Sequence, residues 1–213
     1  MPSAAILTGG TASRFGGRDK SALVVGGRTI LDRQVAELSR VTDDILLVGG
    51  QSDTTSRPAG DITIRVVPDR VSGQGPLGGL DAALAAARDD VVFVLACDMP
   101  FVTSELVAYL IALATVPASA DRPAAVVPAT NRGYHPLCAV YTRACQVIVS
   151  RQLAERVLAL VDLLGLMRAS DGIRVRVVTE RELDVFGDPG HVLANVNTQA
   201  EFEEIEALQG HRR

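Results

Sequence analysis

The apolar residues of this chain come in short unbroken runs, and that pattern constrains its fold more than any other feature. "VVFVLA" (91–96) and "DILLVG" (44–49) offer almost no polar face. A strand apolar on both sides must be covered on both sides, which points to a largely parallel sheet with helices on each face. Further runs, "SAAILTG" (3–9), "ITIRVVPD" (62–69), "AAVVPA" (124–129) and "IRVRVVT" (173–179), predict more strands. Between them, "TILDRQVAELSR" (29–40) places Ile30, Leu31, Val35 and Leu38 at helical spacing. "GPLGGLDAALAAARDD" (75–90) and "TSELVAYLIALA" (103–114) predict helices, and "CAVYTRACQVIVSRQLAERVLALVDLLG" (138–165) predicts a strand followed by a helix. The closing helix, "TQAEFEEIEALQG" (198–210), opens with Thr198 and Glu201 at capping-box spacing. Strands separated by helices of ten or so residues need crossover connections. The expected fold is α/β: a single-domain, doubly wound, mostly parallel sheet, with 116–125 as the most exposed loop.

Composition narrows the function classes. At 213 residues and 47% hydrophobic, the chain can bury a sizeable core and is not expected to be disordered. A formal charge of -4 excludes a general nucleic-acid binder, which needs a basic excess to neutralise phosphates. Cys97, Cys138 and Cys145 are an odd number without a C-x-x-C pair, so neither a disulfide framework nor a structural zinc site is expected. "MPSAAILTGG" has no basic n-region, and no apolar stretch approaches bilayer length. The expectation is a cytoplasmic protein with no membrane and no nucleic-acid partner.

In a doubly wound sheet, ligands sit beyond the carboxyl ends of the strands. After the first run comes "TGGTASRFGGRDK" (8–20), a basic, Gly-rich loop in an acidic protein. Gly9 and Gly10 let backbone N–H groups approach an anion, and Arg14 and Lys20 add long cationic arms suited to a triphosphate. The spacing fits neither the P-loop nor the dinucleotide fingerprint, which disfavours an NAD-dependent oxidoreductase. A solvated surface turn is the rival reading. After "VVFVLA", Asp98 suits a Mg²⁺ ion that takes one or two carboxylates plus phosphate oxygens. Its rival role, a helix cap, belongs more naturally to Thr103 or Ser104. Asp69 follows another strand and precedes the Gly-rich entry to a helix. Cys97 reads as a small buried hydrophobe and His135 as a structural histidine.

These residues, taken together, resemble the molybdenum cofactor guanylyltransferases (the MobA family), with their L-A-G-G-x-x-x-R-x-G-x-D-K signature. "LTGGTASRFGGRDKSAL", "PDRVSGQGPLGGL", "ACDMPF", "HPL" and "NVNT" occur in family order over nearly the whole chain. Thr8 stands where alanine is usual, "FGGRDK" holds an extra glycine, and Gly49-Gly50 replace an Asn often found near the base. The resemblance implies a Rossmann-like nucleotidyltransferase fold, with residues 1–110 binding nucleotide and 111–213 binding the acceptor. It implies Mg²⁺-dependent transfer of GMP from GTP to the terminal phosphate of molybdopterin, releasing pyrophosphate. Leu7, Thr8, Gly9, Gly10, Lys20, Asp69 and Asp98 would hold GTP. Arg14, Lys20 and Asp98 would be catalytic, and Asp98 would ligate the metal. Asn195 and Asn197 would face the pterin or cap the last helix. Other proteins of cofactor assembly could be partners. The alternatives are cytidylyl transfer to the same cofactor, a sugar-phosphate nucleotidyltransferase, or a non-catalytic nucleotide sensor.

Overall fold

The computed structural model describes residues 1–8, 23–25, 27–49, 58–59, 62–71, 73–115, 122–170 and 172–210. Its strands are β1 (Ser3–Leu7), β2 (Val24–Val25), β3 (Arg28–Thr29), β4 (Asp44–Val48), β5 (Pro58–Ala59), β6 (Ile62–Val67), β7 (Val91–Ala96), β8 (Ala125–Thr130), β9 (Gly133–Tyr134), β10 (Cys138–Thr142) and β11 (Val175–Val178). The helices are α1 (Ile30–Leu38), α2 (Gly75–Ala86), α3 (Ser104–Ala114), α4 (Gln146–Ala154), α5 (Leu160–Ala169), α6 (Glu180–Leu183), α7 (Pro189–Val192) and α8 (Gln199–Gly210). Among the described residues the main sheet runs β11-β8-β10-β7-β1-β4-β6-β5, with β9 joined to β8.

The unbroken apolar runs do what they predict. Every residue of β1, β4 and β7 is buried, and these strands and β6 are mutually parallel. Alternate residues serve opposite faces. Ala5 and Leu7 join a core with Leu77 and Leu80 of α2, Val149 and Leu153 of α4, and Leu163 and Met167 of α5. Ala4 and Ile6 join the other core, with Leu38 of α1 and Leu106 and Leu110 of α3. Gly79 of α2 packs closely here: a Cβ there would lie 3.3 Å from two carbons of Leu7, which would have to give way by a few tenths of an ångström.

At the sheet edge opposite the strand C-termini, Asp44 is the buried polar hub. It accepts from Ser3 Oγ at 2.6 Å and from Arg65 Nε and Nη2 at 2.9 Å each. Burial alone would raise this carboxyl, but those bonds and the Arg88 amide hold it below its ordinary range.

Two connections depart from the sequence expectation. β10 pairs antiparallel with both β7 and β8, so it enters the middle of the sheet by a hairpin, not a crossover. The helix expected through 146–165 is two helices. α4 ends in a paired-hydrogen-bond C-cap: Arg156 N donates to Leu153 O at 3.1 Å and Val157 N to Gln152 O at 3.0 Å. Arg156 takes the left-handed φ of 57°, and Gln152 Nε2 donates to Ala159 O at 2.9 Å, holding the turned chain. Continuous helix propensity yields here to packing, because α5 buries its Leu160, Leu163, Leu164 and Met167 in a new direction. Of the expected loop 116–125, residues 116–121 lie outside the described residues, and Ala125 already begins β8.

Candidate active site

Leu7 is in register with Val48 on one side and Ala96 on the other, and Val48 with Val67. The four parallel strands thus end on one row. The chain builds outward from β1 through β4 to β6, then returns by α2 to the far side of β1 to make β7. The boundary between β1 and β7 is therefore where connections diverge, the place at which doubly wound sheets bind ligands. Thr8 and Asp98 flank it.

Thr8 extends the sheet: both its N–H and its Oγ1 donate to Val48 O, at 2.8 and 2.9 Å. Leu7 O accepts from Cys97 N at 3.3 Å. Gly49 N donates to Val67 O at 3.0 Å, with Gly49 at a φ of 82°. Glycine takes that left-handed conformation without the penalty of a Cβ. Gly9, Gly10, Arg14 and Lys20 lie outside the described residues.

The Asp98 turn is held from three directions. Cys97 N reaches β1, Val196 N donates to Asp98 O at 2.7 Å, and Gln34 Nε2 of α1 donates to Ala96 O at 2.7 Å and Met99 O at 3.1 Å. Asp98 is half-buried, with its Oδ1 oxygen inside. It does not cap α3: Thr103 does, accepting from Leu106 N, while Glu37 Oε2 accepts from Ser104 N at 2.9 Å. Cys97, expected buried, is half-buried beside it. Behind the turn, Phe101 stacks on Phe202 of α8 at 5.1 Å and meets His191 at 4.1 Å.

Asp69 stands exposed at the end of β6, three strand spacings or about 14 Å from the Asp98 end of the row. The loop carrying it is pinned by Arg70, whose Nη1 donates to buried Asp81 Oδ2 at 3.0 Å. Gln146 and Ser150 of α4 also donate to Asp81.

Asn195 lines a cavity of about 380 Å³ with Ala96 and Met99, so the cavity opens beside the Asp98 turn. Its other walls are Pro76 at the start of α2, the Tyr134–Cys138 hairpin and Leu158–Val161, which runs from the α4–α5 connection into the start of α5. Asn197 is drawn toward the cap of α8: its N–H donates to Glu201 Oε2 at 2.6 Å while Thr198 Oγ1 accepts from Glu201 N at 3.1 Å. The box expected for Thr198 and Glu201 is therefore shifted by one residue at its return bond. His135 lines this cavity and a smaller one of about 170 Å³ with Arg132, Glu180 and Asp188. Burial first, then the charge of Arg132, holds its imidazole below the ordinary histidine range, so it is neutral at pH 7. Its Nε2 lies 2.9 Å from Thr130 Oγ1. The hairpin is fixed from behind by fully buried Tyr141, whose hydroxyl donates to Pro136 O at 2.8 Å.

Sequence reading missed the walls at Tyr134 and Leu158–Val161, which have no motif. It also missed Gln34, whose signal was visible: a polar residue one turn from Ile30 and one turn from Leu38 on the buried stripe of α1.

The profile of the MobA-like NTP transferase domain matches residues 4–170. The chain belongs to the MobA-like NTP transferase family. A molybdenum cofactor guanylyltransferase of Desulfosudis oleivorans is 32% identical over 95% of this chain and 93% of its own length. A probable molybdenum cofactor guanylyltransferase of Pelotomaculum thermopropionicum is 30% identical over 98% of this chain and 93% of its own. In fold, the chain superposes on molybdopterin-guanine dinucleotide biosynthesis protein A of Archaeoglobus fulgidus with a TM-score of 0.76 at 20% identity, covering 98% of this chain and 99% of that one. It also superposes on 4-diphosphocytidyl-2C-methyl-D-erythritol synthase of Anaerococcus prevotii, with a TM-score of 0.66 at 19% identity over 98% and 97% of the two chains. The fold is thus the Rossmann-like one of nucleotidyltransferases, and the chain is an enzyme of that class.

A divalent cation suits this MobA-like site by the chemistry of its donors. Asp98 offers a hard carboxylate oxygen at the crevice, and no group of three or more His, Cys, Asp or Glu forms a cage among the described residues. One carboxylate completed by substrate phosphates is the mode Mg²⁺ favours. All three cysteines are free thiols; burial pushes Cys138 and Cys145 up to about 12, so neither supplies a thiolate at neutral pH. No helix among the described residues is long and apolar enough to cross a membrane.

Proposed function

We propose that this protein transfers GMP from GTP to the terminal phosphate of molybdopterin in the cytoplasm. The observation that carries the reading is the 2.7 Å bond from Val196 N to Asp98 O, with Asn195 on the adjoining cavity wall. It joins the strand-end crevice to the cavity, so two substrates bound in them meet at one turn.

The acceptor's phosphate oxygen attacks the α-phosphorus of GTP, the α–β bridging bond breaks, and pyrophosphate leaves. Such a transfer needs alignment and charge neutralisation more than a covalent group. Asp98 would hold Mg²⁺, which supplies charge neutralisation at the reacting phosphates when bound. Arg14 and Lys20 would neutralise the leaving pyrophosphate. Leu7 to Gly10 would line the phosphates, and Asp69, about 14 Å along the row, would accept from ribose or guanine. Residues 1–110 thus hold the nucleotide and 111–213 most of the acceptor cavity. That cavity is suited to a flat, partly polar ring: Tyr134, Pro136 and Leu158 give apolar walls, and His135 and Asn195 give polar ones.

Calorimetry with GTP, CTP, UTP and ATP, each with and without Mg²⁺, tests the reading. GTP is expected to bind in preference to the others. Asp98→Asn is expected to cut turnover by at least about 10²-fold while leaving metal-free GTP affinity within about twofold. A preference for CTP would transfer the function to cytidylyl transfer on the same fold. Undiminished turnover in the variant would overturn the role of Asp98.

A further inference from the structure

We infer that Gln34 is the positioning residue for Asp98, an inference that rests on Asp98 being the metal-binding carboxylate. Gln34 is 2% exposed, on the stripe of α1 that otherwise carries Ile30 and Leu38. Packing would be served there by leucine or methionine, and an amide buried in an apolar core costs free energy unless it is bonded. Both Nε2 hydrogens are bonded, to Ala96 O at 2.7 Å and Met99 O at 3.1 Å. These carbonyls lie two residues before Asp98 and one residue after it, so a single side chain clamps both ends of the turn. The Oε1 of the same amide is buried and accepts no hydrogen bond among the described residues. The donors are therefore what keeps a glutamine in this position.

The sheet cannot do this work. Ala96 N donates to Leu137 O at 2.8 Å, and Cys97 N to Leu7 O at 3.3 Å, but beyond that point β1 no longer accompanies β7. The turn past Cys97 is closed on itself by a long bond from Met99 N to Ala96 O, at 3.4 Å, and is held to the rest of the fold by Gln34 and by Val196 N. Glu37, one turn further along α1, ties the N-terminus of α3 by the opposite polarity, its Oε2 accepting from Ser104 N. α1 thus suspends the whole connection from Ala96 to Ser104. Without the clamp, Asp98 would sample several orientations, and a misplacement of about 1 Å in a phosphoryl-transfer site costs about 10²-fold. Gln34 contacts neither substrate nor metal in this scheme; it acts through the turn.

The test compares GTP binding by calorimetry in Mg²⁺ and in EDTA for the wild type, Gln34→Met, Asp98→Asn and Val149→Ala. Methionine conserves volume and removes the donors, and Gln34→Leu repeats the experiment with a different shape should Gln34→Met not accumulate as folded protein. Val149 is fully buried in the opposite core and controls for lost stability alone. The expected result is that Gln34→Met lowers the Mg²⁺ enhancement of GTP affinity about tenfold or more, leaves the EDTA affinity within about twofold, and lowers kcat more than it raises KM. Val149→Ala should lower the Tm and keep the enhancement. If Asp98→Asn abolishes the enhancement and the Gln34 variants retain it, Gln34 has no positioning role and the proposed function stands. If the wild type shows no enhancement, the metal role of Asp98 falls, and this inference falls with it.

Discussion

Arg156 gives a prediction whose size can be worked from the backbone. It is the one described non-glycine residue at positive φ, 57°, and it sits one residue past the cap of α4. The two bonds around it, 3.1 and 3.0 Å, complete the helix-ending motif that glycine usually occupies. An L-residue in the left-handed region costs about 1–2 kcal/mol, and glycine removes that cost. Glycine also gives the unfolded chain about 0.5–1 kcal/mol more entropy to lose. The difference predicts that Arg156→Gly stabilises by about 0–1.5 kcal/mol, or up to roughly 6 °C in Tm for a chain of this size. Arg156 is exposed, so Arg156→Ala, which keeps the Cβ and removes the rest, should be near neutral. Arg156→Val should be destabilising, because a β-branched residue is poorly tolerated there. Urea unfolding of the four proteins checks the order Gly, then Arg and Ala together, then Val. A glycine variant less stable than the wild type would refute the argument. Because this turn leads into the Leu158–Val161 cavity wall, its conformation also shapes the proposed acceptor site.

Other expectations rest on single contacts. Tyr141→Phe deletes the bond to Pro136 O deep in the core, which should cost about 1–2 kcal/mol in urea unfolding; because the hairpin then loosens, acceptor KM should rise more than GTP KM. Asp44→Asn should cost about 2–3 kcal/mol at pH 7, since it breaks a buried carboxylate's bonds to Ser3 and Arg65. The sign of its pH dependence is fixed: the folded carboxyl lies below its ordinary 3.8, so the unfolded chain binds the proton first as pH falls. The wild type should therefore lose stability below about pH 3.8 more steeply than Asp44→Asn, and parallel acid limbs in urea titrations would contradict this.

Much of the scaffold was legible because it depends on local composition. A run such as "VVFVLA" can be satisfied only between two covering layers, so its burial follows from the residues themselves, as does its parallel pairing with β1, although its other neighbour, β10, is antiparallel. A hydroxyl cap of α3 at Thr103 or Ser104 was legible for the same reason, since the hydroxyl and the amide it serves are three residues apart, and the structure chooses Thr103. That Asp98 and Asp69 each follow a strand end was also readable, whereas the basic loop expected after β1 lies, from Gly9 to Lys20, outside the described residues. The antiparallel entry of β10 was not, because its direction is decided by a hairpin with β8 and by pairing with β7, whose residues are 43 (Cys138 with Leu95) to 51 (Thr142 with Val91) positions away in sequence. Nor was the break at Arg156, where the helical pattern continues and only the direction of the buried face of α5 stops it.

What the sequence by itself determined was the inventory: which carboxylates, amides and cations stand next to strand ends, a consequence of side-chain chemistry and of periodicity within a few residues. What only the tertiary structure decided was which of them meet. Asn195 adjoins Asp98 through a bond spanning the chain, and Gln34, a residue with no motif, comes to hold the central turn. Those pairings are set by how helices pack across a sheet, a many-body outcome that no local stretch of residues encodes.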